Sequence, residues 1–364
     1  MSQKPRILVC PLDWGLGHAV RCVPVIRELI NAGAEPIIAA DAAPLRLLRQ
    51  EFPDLSWIKF PGVPVRYPAN GSFMPLYMAL QTPTQLLGLA KEKRFIKKVA
   101  EDLNIQGIIS DNRYGAFSAR IPSVFITHQL NIQTGFILTD FLIKKLNKKF
   151  TGSFSKIWVP DFEGDENLSG QLSHGVKTPE NTKFIGPLSR FSKLSEKPKI
   201  YDAAMILSGP EPQRTRLENL FLDQVQEFPD GHFLLIRGLE ETPKTLPANV
   251  NIRELADSEG IQNAYALSKK MICRSGYTSV MELYSLGLHA HLIPTPGQTE
   301  QEYLARYLSK KGIFTYSTQS QFNLRSILQS EDRTLPKNKV TGEPGLTKEI
   351  RGWLSKLTQK QVKR

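Results

Sequence analysis

Short apolar runs alternate with segments of helical periodicity, and the alternation appears twice along the chain. Arg6 to Pro11 is a bounded apolar run of the kind that forms a buried parallel strand. Val20 to Ala32 repeats Val23, Ile26, Arg27 and Ile30 on one helical face, and Gly33 closes it. Glu35 to Ala40 predicts the next strand, Leu45 to Glu51 a helix, and Trp57 to Phe60 a strand. Residues 61–76 are rich in Pro and Gly and read as a loop. Gln106 to Asp111, Ser123 to Thr127, Lys156 to Pro160 and Lys183 to Gly186 predict further strands, with a turn or short helix over 112–120. The second half restarts the pattern. Strands are expected at Asp202 to Leu207, Phe233 to Ile236 and Val250 to Ile252, with helices at Arg214 to Gln226 and Ile261 to Leu267. Lys270 to Cys273 then leads through Arg274-Ser275-Gly276 into a helix over Thr278 to Leu286. His291 to Pro294 is the next strand, and a helix begins beyond Thr295-Pro296-Gly297-Gln298.

This pattern predicts an α/β protein built of two Rossmann-like domains facing a cleft. The first domain is expected over residues 1–188, a polar linker over 189–199, and the second domain over 200–335. Residues 336–364 form a basic tail, whose amphipathic stretch Thr347 to Leu357 is a candidate helix to pack back on the first domain.

Composition adds a surface charge and removes some classes. The chain has 364 residues, 41% hydrophobic and 23% charged, an ordinary globular balance. No apolar run approaches the ~18 residues that a membrane-spanning helix needs, and no signal-peptide pattern opens the chain. The three cysteines lack metal-ligand spacing and form no disulfide framework, which fits a cytoplasmic protein without a bound metal. The formal net charge is +12. Its excess gathers at Lys91 to Lys98, at Lys144, Lys145, Lys148 and Lys149, and in the tail. The first two lie beside apolar stretches (74–98 and 136–149), which suits an anionic membrane surface or a lipid-linked ligand at the inner membrane face. A solvated charged surface is the simpler reading of any one cluster. No basic motif interleaved with aromatics points to nucleic acid.

The candidate chemistry lies at strand ends, where parallel α/β sheets place ligands. Gly15 and Gly17 allow close backbone approach at a helix N-terminus, and His18 follows them. Asp111, His128 and Gln129 end neighbouring strands on the same edge. In the second half, Ser208-Gly209 and Ser275-Gly276 are turns suited to phosphate, with Arg214 and Arg274 beside them. His18 suits a general base by type, with Asp111 to orient it or to act itself.

These pieces together resemble the GT-B glycosyltransferases, and in particular glycosyltransferase family 28 with its MurG-type N-acetylglucosaminyltransferases. The likeness is carried by Gly15-Leu16-Gly17-His18, by Thr127-His128-Gln129-Leu130-Asn131, and by Arg274-Ser275-Gly276 through Glu282 to Pro294-Thr295-Pro296-Gly297-Gln298-Thr299-Glu300-Gln301. The resemblance implies a metal-independent hexosyltransferase that uses a nucleotide-diphosphate sugar, with UDP the expected nucleotide. It implies no cofactor beyond that substrate. The second domain would hold the donor, with Glu282 on the ribose and Gln298 and Gln301 near the sugar, and the first domain would present the acceptor. Two departures stand out. The turn Ser208-Gly209-Pro210-Glu211-Pro212 has fewer glycines than the family pattern, and Gln129 stands where an acid usually follows the histidine. Two alternatives share the fold: a non-hydrolysing sugar-nucleotide 2-epimerase, and a non-catalytic nucleotide-sugar-binding protein.

Overall fold

The computed structural model describes residues 4–63, 74–131, 147–175, 178–194, 196–238, 247–254, 256–331 and 344–362. Most of the 61–76 loop, Lys144 and Lys145, most of the 136–149 stretch and the start of the basic tail lie outside these residues. The described chain forms two compact units.

The first unit is a seven-stranded sheet in the order β3-β2-β1-β4-β5-β6-β7. Its strands are β1 Arg6–Pro11, β2 Glu35–Ala40, β3 Trp57–Lys59, β4 Gly107–Asp111, β5 Ser123–Ile126, β6 Lys156–Val159 and β7 Thr182–Phe184. All pairings are parallel. A parallel sheet is covered on both faces, so its central strands read as unbroken apolar runs rather than alternating ones. Ile7 to Cys10 and Ile108 to Ile109 are accordingly fully buried. Helix α1 spans Leu16–Asn31, α2 Ala42–Glu51 and α3 Met74–Asp102.

One expectation changes here, the start of the first helix, and one of the two forms expected over 112–120 is the one found. The first helix starts at Leu16 rather than Val20, because Gly15 is its N-cap at φ 155°. That conformation is open to glycine and turns the chain from strand to helix in few residues. The segment 112–120 is irregular turns, without a helix. Helix α3 continues through the basic run Lys91 to Lys98. Its later turns bury Ile96, Val99 and Ala100 in the core, while Leu86 and Leu87 stay exposed.

The first unit also takes the C-terminal helix, α9 Gly345–Val362. Ile350, Trp353, Leu354 and Leu357 are its buried face, at the i, i+3, i+4, i+7 spacing of an amphipathic helix. Trp353 meets Trp158 edge-on at 6.1 Å, and a side chain at Gly107 would come within 2.5 Å of the Trp353 ring. Glycine at the start of β4 thus makes room for the helix, and Lys156 pairs with Glu349 at 2.6 Å.

The second unit begins after Arg190. Its six-stranded parallel sheet runs β10-β9-β8-β11-β12-β13. The strands are β8 Tyr201–Ile206, β9 Phe233–Ile236, β10 Val250–Arg253, β11 Ser268–Cys273, β12 His291–Leu292 and β13 Thr315–Tyr316. The helices are α4 Gln213–Val225, α5 Ser258–Leu267, α6 Tyr277–Ser285, α7 Thr299–Lys310 and α8 Leu324–Gln329. Both β13 and α8 fall outside the sequence expectations; each is too short to show a period. Phe221 and Phe233 meet edge-on at 6.1 Å and fix α4 to the sheet. Truncating Phe221 to alanine would cost about 3–5 kcal/mol.

Each sheet reverses its strand order at one point, between β1 and β4 in the first and between β8 and β11 in the second. Crevices at such switch points receive ligands.

Candidate active site

The first switch point holds a compact polar cluster. Asp111 ends β4 beside Pro11 of β1. His18 and Arg21 are three residues apart on α1, so they share a face. Asp111 is completely buried, Arg21 is 3% exposed, and the His18 side chain is 19% exposed. Arg21 Nη2 lies 2.8 Å from Asp111 Oδ1, and His18 Nδ1 lies 2.9 Å from Asp111 Oδ2. Arg21 Nη1 lies 3.1 Å from His128 Nδ1, which brings the end of β5 into the same cluster.

This geometry sets the protonation states. Burial by itself raises the Asp111 carboxyl, but Arg21 and His18 outweigh it and hold it below its ordinary value. For His18, burial lowers the imidazole and Arg21, 2.7 Å from Nδ1, lowers it further; Asp111 opposes both and the net shift is down. The ring is therefore neutral near pH 7. A carboxylate is a better acceptor than an imidazole for the guanidinium N–H groups. With Arg21 turned to Asp111, His18 keeps its proton on Nδ1, donates to Asp111, and leaves the Nε2 lone pair to accept a proton.

The glycine-rich loop before His18 is anchored from the other side. Asp13 lies 3.5 Å from Arg113, a buried cation that also binds Glu92 at 2.8 Å and stacks on Phe60. Burial raises the Asp13 carboxyl and Arg113 opposes the rise. Gln129 accepts on its backbone carbonyl from Asn147 Nδ2 at 3.3 Å.

At the second switch point the helix starts tell two groups apart. Helices α2, α5 and α8 are capped by the side chains of Asp41, Asp257 and Asn323. Helix α6 begins at Gly276 with no side-chain cap and no acid in its first turn. Its first N–H groups carry the positive end of the helix dipole and suit an anion. A side chain added at Gly276 would meet nothing within 4 Å, so the space before the helix is open.

Gly209, in the loop after β8, has φ +97°. A Cβ there would sit 3.2 Å from Thr295 Oγ1 and 4.0 Å from Arg274 Nε. Both of those atoms are buried and have no hydrogen-bond partner. Two unpartnered polar atoms around a bare glycine are a polar cradle of the kind an oxygen-rich ligand fills. The rest of the Arg274 guanidinium is engaged with backbone carbonyls of Ile293, Pro294 and Gln213. Burial brings its pKa down to about 10, so it stays charged at neutral pH.

Arg214 is placed differently from the sequence expectation of a charge for the diphosphate. It is buried, and its guanidinium bonds Glu211 at 2.6 Å, Glu218 at 2.8 Å and Thr215 at 2.9 Å. Glu211 also accepts from the backbone N–H of Thr215, so a carboxylate already occupies the start of α4. The N-terminus of α4 is thereby closed to a phosphate, and α6 is the open one.

Ser275 is fully buried, and its hydroxyl donates to the Gln301 carbonyl at 2.8 Å. Gln301 Oε1 accepts from Thr295 N at 2.9 Å, and its amide donates to Gln298. These bonds staple the loop before α7 to the loop before α6. Glu282 is buried on α6. Among the described residues no group of three or more His, Cys, Asp or Glu is placed to hold a metal.

The structure therefore gathers His18, Asp111 and His128 in the first unit, and Gly209, Arg274, Ser275, Gly276, Gln298 and Gln301 around three loops of the second. Arg21 and Thr295 were missed from sequence. Arg21 carried a signal: it is a lone charge among Ala19, Val20, Cys22, Val23, Val25 and Ile26, all buried on α1. Thr295 carried none, since only the fold brings it to Gly209.

Comparison with known proteins bears on the family and the fold. Residues 216–344 match the glycosyltransferase family 28 C-terminal domain. The chain is 26% identical over 390 residues to an uncharacterized glycosyltransferase of Methanosarcina acetivorans, covering 99% of this chain and 98% of that one. It is 25% identical over 347 residues to a UDP-N-acetylglucosamine--N-acetylmuramyl-(pentapeptide) pyrophosphoryl-undecaprenol N-acetylglucosamine transferase of Pasteurella multocida, covering 91% and 90%. Among solved structures, the glycotransferase of kitacinnamycin superposes with a TM-score of 0.65 at 15% identity, covering 99% of this chain and 96% of that one. Acinetobacter baumannii MurG superposes with a TM-score of 0.52 at 16% identity, covering 99% of both.

Proposed function

The chain is a family 28-like glycosyltransferase of GT-B architecture, and from that premise we propose that it moves a hexose or N-acetylhexosamine from a UDP-linked donor to a lipid-linked acceptor of the cell envelope. The observation that carries the reading is the His18–Asp111–Arg21 cluster: a partly exposed imidazole held neutral, with its Nδ1 turned to a buried carboxylate.

In the reaction, His18 Nε2 takes the proton of the acceptor hydroxyl as that oxygen bonds to the anomeric carbon. The bond from the anomeric carbon to the diphosphate breaks, and the nucleoside diphosphate leaves with the electron pair. Asp111 orients the ring and stabilises the imidazolium that forms. The α6 N-terminus and the Gly209 cradle receive the growing negative charge on the leaving group. Glu282 takes the ribose hydroxyls, and Gln298 and Gln301 the sugar. Helix α7 carries Glu300 and Glu302 in its first turn, which suits hydroxyl groups better than phosphate.

A lipid-linked acceptor is supported by α3. Exposed Leu86 and Leu87 stand on the helix that also exposes Lys91, Arg94, Lys97 and Lys98. Apolar and basic side chains together suit peripheral binding at an anionic membrane face. No helix among the described residues is long and apolar enough to cross a membrane.

The test is incubation with radiolabelled UDP-glucose or UDP-N-acetylglucosamine and a bacterial membrane-lipid extract. Label moving into the lipid fraction, and lost in His18→Ala, is the expected result. Epimerised or unchanged sugar nucleotide with no transfer would overturn the reading.

A further inference from the structure

The second unit carries a groove of about 810 Å³ that borders the donor loop at Pro294, Pro296 and Glu302. None of Ser208, Gly209, Ser275, Gly276, Glu282, Gln298 or Gln301 lines it. One wall is a face of α4, where Arg216, Asn219 and Asp223 recur at helical spacing. The other walls are the end of β13, with Tyr316, the turn after it, with Gln319, and α7, with Arg306. Its volume lies within the range of small-molecule sites, roughly 300–1,000 Å³.

Four polar side chains in this groove are idle. Those of Arg216, Asn219, Asp223 and Arg306 make no hydrogen bond or ion pair among the described residues. Gln319 is only 7% exposed, and its Nε2 donates to Gln213 at 3.2 Å. Its Oε1, though buried, has no partner. A buried amide oxygen left without a donor is costly unless something in the groove supplies one.

The charge balance decides the ligand class. Arg216 and Arg306 are matched by Asp223 and Glu302, so the lining has no net charge and does not select an anion. What remains is a set of planar polar groups, both donors and acceptors, beside an aromatic ring. Tyr316 is 36% exposed, and Leu220 and Pro294 add apolar surface. Neighbouring hydroxyls on a sugar ring offer a donor and an acceptor together, which a carboxylate, amide or guanidinium can bridge. The C–H face of the sugar packs on an aromatic ring.

We propose that this groove is a second carbohydrate site that binds a neutral oligosaccharide. It is tied to the donor loop through Glu302, which lines the groove and accepts from Gly297 N at 3.0 Å. A glycan seated there holds the loop of Gln298 in place, so the protein grips a sugar chain as well as the single sugar it transfers.

The experiment is saturation-transfer NMR and calorimetry with chitotriose, cellotriose, maltotriose and mannotriose, each with and without UDP. At least one trisaccharide is expected to bind, and UDP is expected not to displace it. Tyr316→Ala and Asp223→Asn should each weaken that binding about tenfold, the effect of losing one good contact. Melting temperature and UDP binding should be unchanged in both variants, since these side chains are exposed and outside the donor residues. No trisaccharide binding at millimolar concentration, equal binding by the variants, or displacement by UDP would each overturn the proposal. Because binding is read rather than transfer, failure here leaves the donor reading standing.

Discussion

His18 Nδ1 lies 2.9 Å from Asp111 Oδ2, and the carboxylate it faces is wholly buried. A buried carboxylate against one ring nitrogen leaves the other nitrogen free to act as the proposed base. His18→Ala is therefore expected to lower kcat about 10²–10⁴-fold, the usual worth of a general base. The donor KM should change little. Asp111→Asn should also lower kcat, because the ring loses its orienting acceptor. Steady-state kinetics on both variants checks this.

The same pair fixes the acid limb of the pH profile. The His18 pKa lies below its ordinary 6.5 because of burial and Arg21. The base must be unprotonated to act, so kcat/KM should fall with decreasing pH through an apparent pKa below 6.5. Asp111 is the group that holds the His18 value up. Residual activity in Asp111→Asn should accordingly show its acid limb at still lower pH. Stability follows the same sign. His18 and Asp111 both have folded-state values below their unfolded ones. Their stabilisation is thus present above the unfolded values and is lost as pH falls through the folded ones. Chemical denaturation at stepped pH reads it.

Arg21 contributes stability through Asp111. Replacing it by Met leaves an uncompensated buried carboxylate, at a cost of about 3–5 kcal/mol. Urea unfolding should show this loss, and Arg21→Met combined with Asp111→Asn should recover part of it.

Much of this was legible beforehand. Central strands such as β1 and β9 are bounded apolar runs, and both sheets follow from them. The loops at Gly15–His18 and Arg274–Gly276 stand at strand ends that the pattern placed correctly. What the pattern could not show depends on contacts between distant segments. Arg214 looks like a free cation near a phosphate turn, but Glu218 follows it by one helical turn and Glu211 precedes it by three residues, so its charge is spent internally. Arg21 looks like a surface charge until the buried neighbours on every side of α1 are counted.

Gly209 tests the donor cradle. A methyl group there meets Thr295 Oγ1 at 3.2 Å and must adopt φ +97°. Gly209→Ala should lose about 1–3 kcal/mol of stability from backbone strain. It should also raise the donor KM while leaving the His18 acid limb unmoved. Calorimetric unfolding and a donor titration separate the two effects.

The proposed membrane association rests on α3. Leu86→Asp with Leu87→Asp should weaken sedimentation with anionic vesicles, and so should raising the salt, since exposed charges are screened over about 8–10 Å at physiological ionic strength. Binding that ignores both changes would contradict the role given to this helix.

Thermal unfolding with UDP-, GDP- and TDP-sugars shows whether the second unit grips a nucleotide-diphosphate sugar, as proposed. Ligand binding to the folded state alone raises stability by about 2.7 kcal/mol at a hundredfold excess over Kd. A UDP-sugar should raise the melting temperature of the wild-type protein and have a smaller effect on Gly209→Ala. No rise with any of the three sugar nucleotides at millimolar concentration would contradict it.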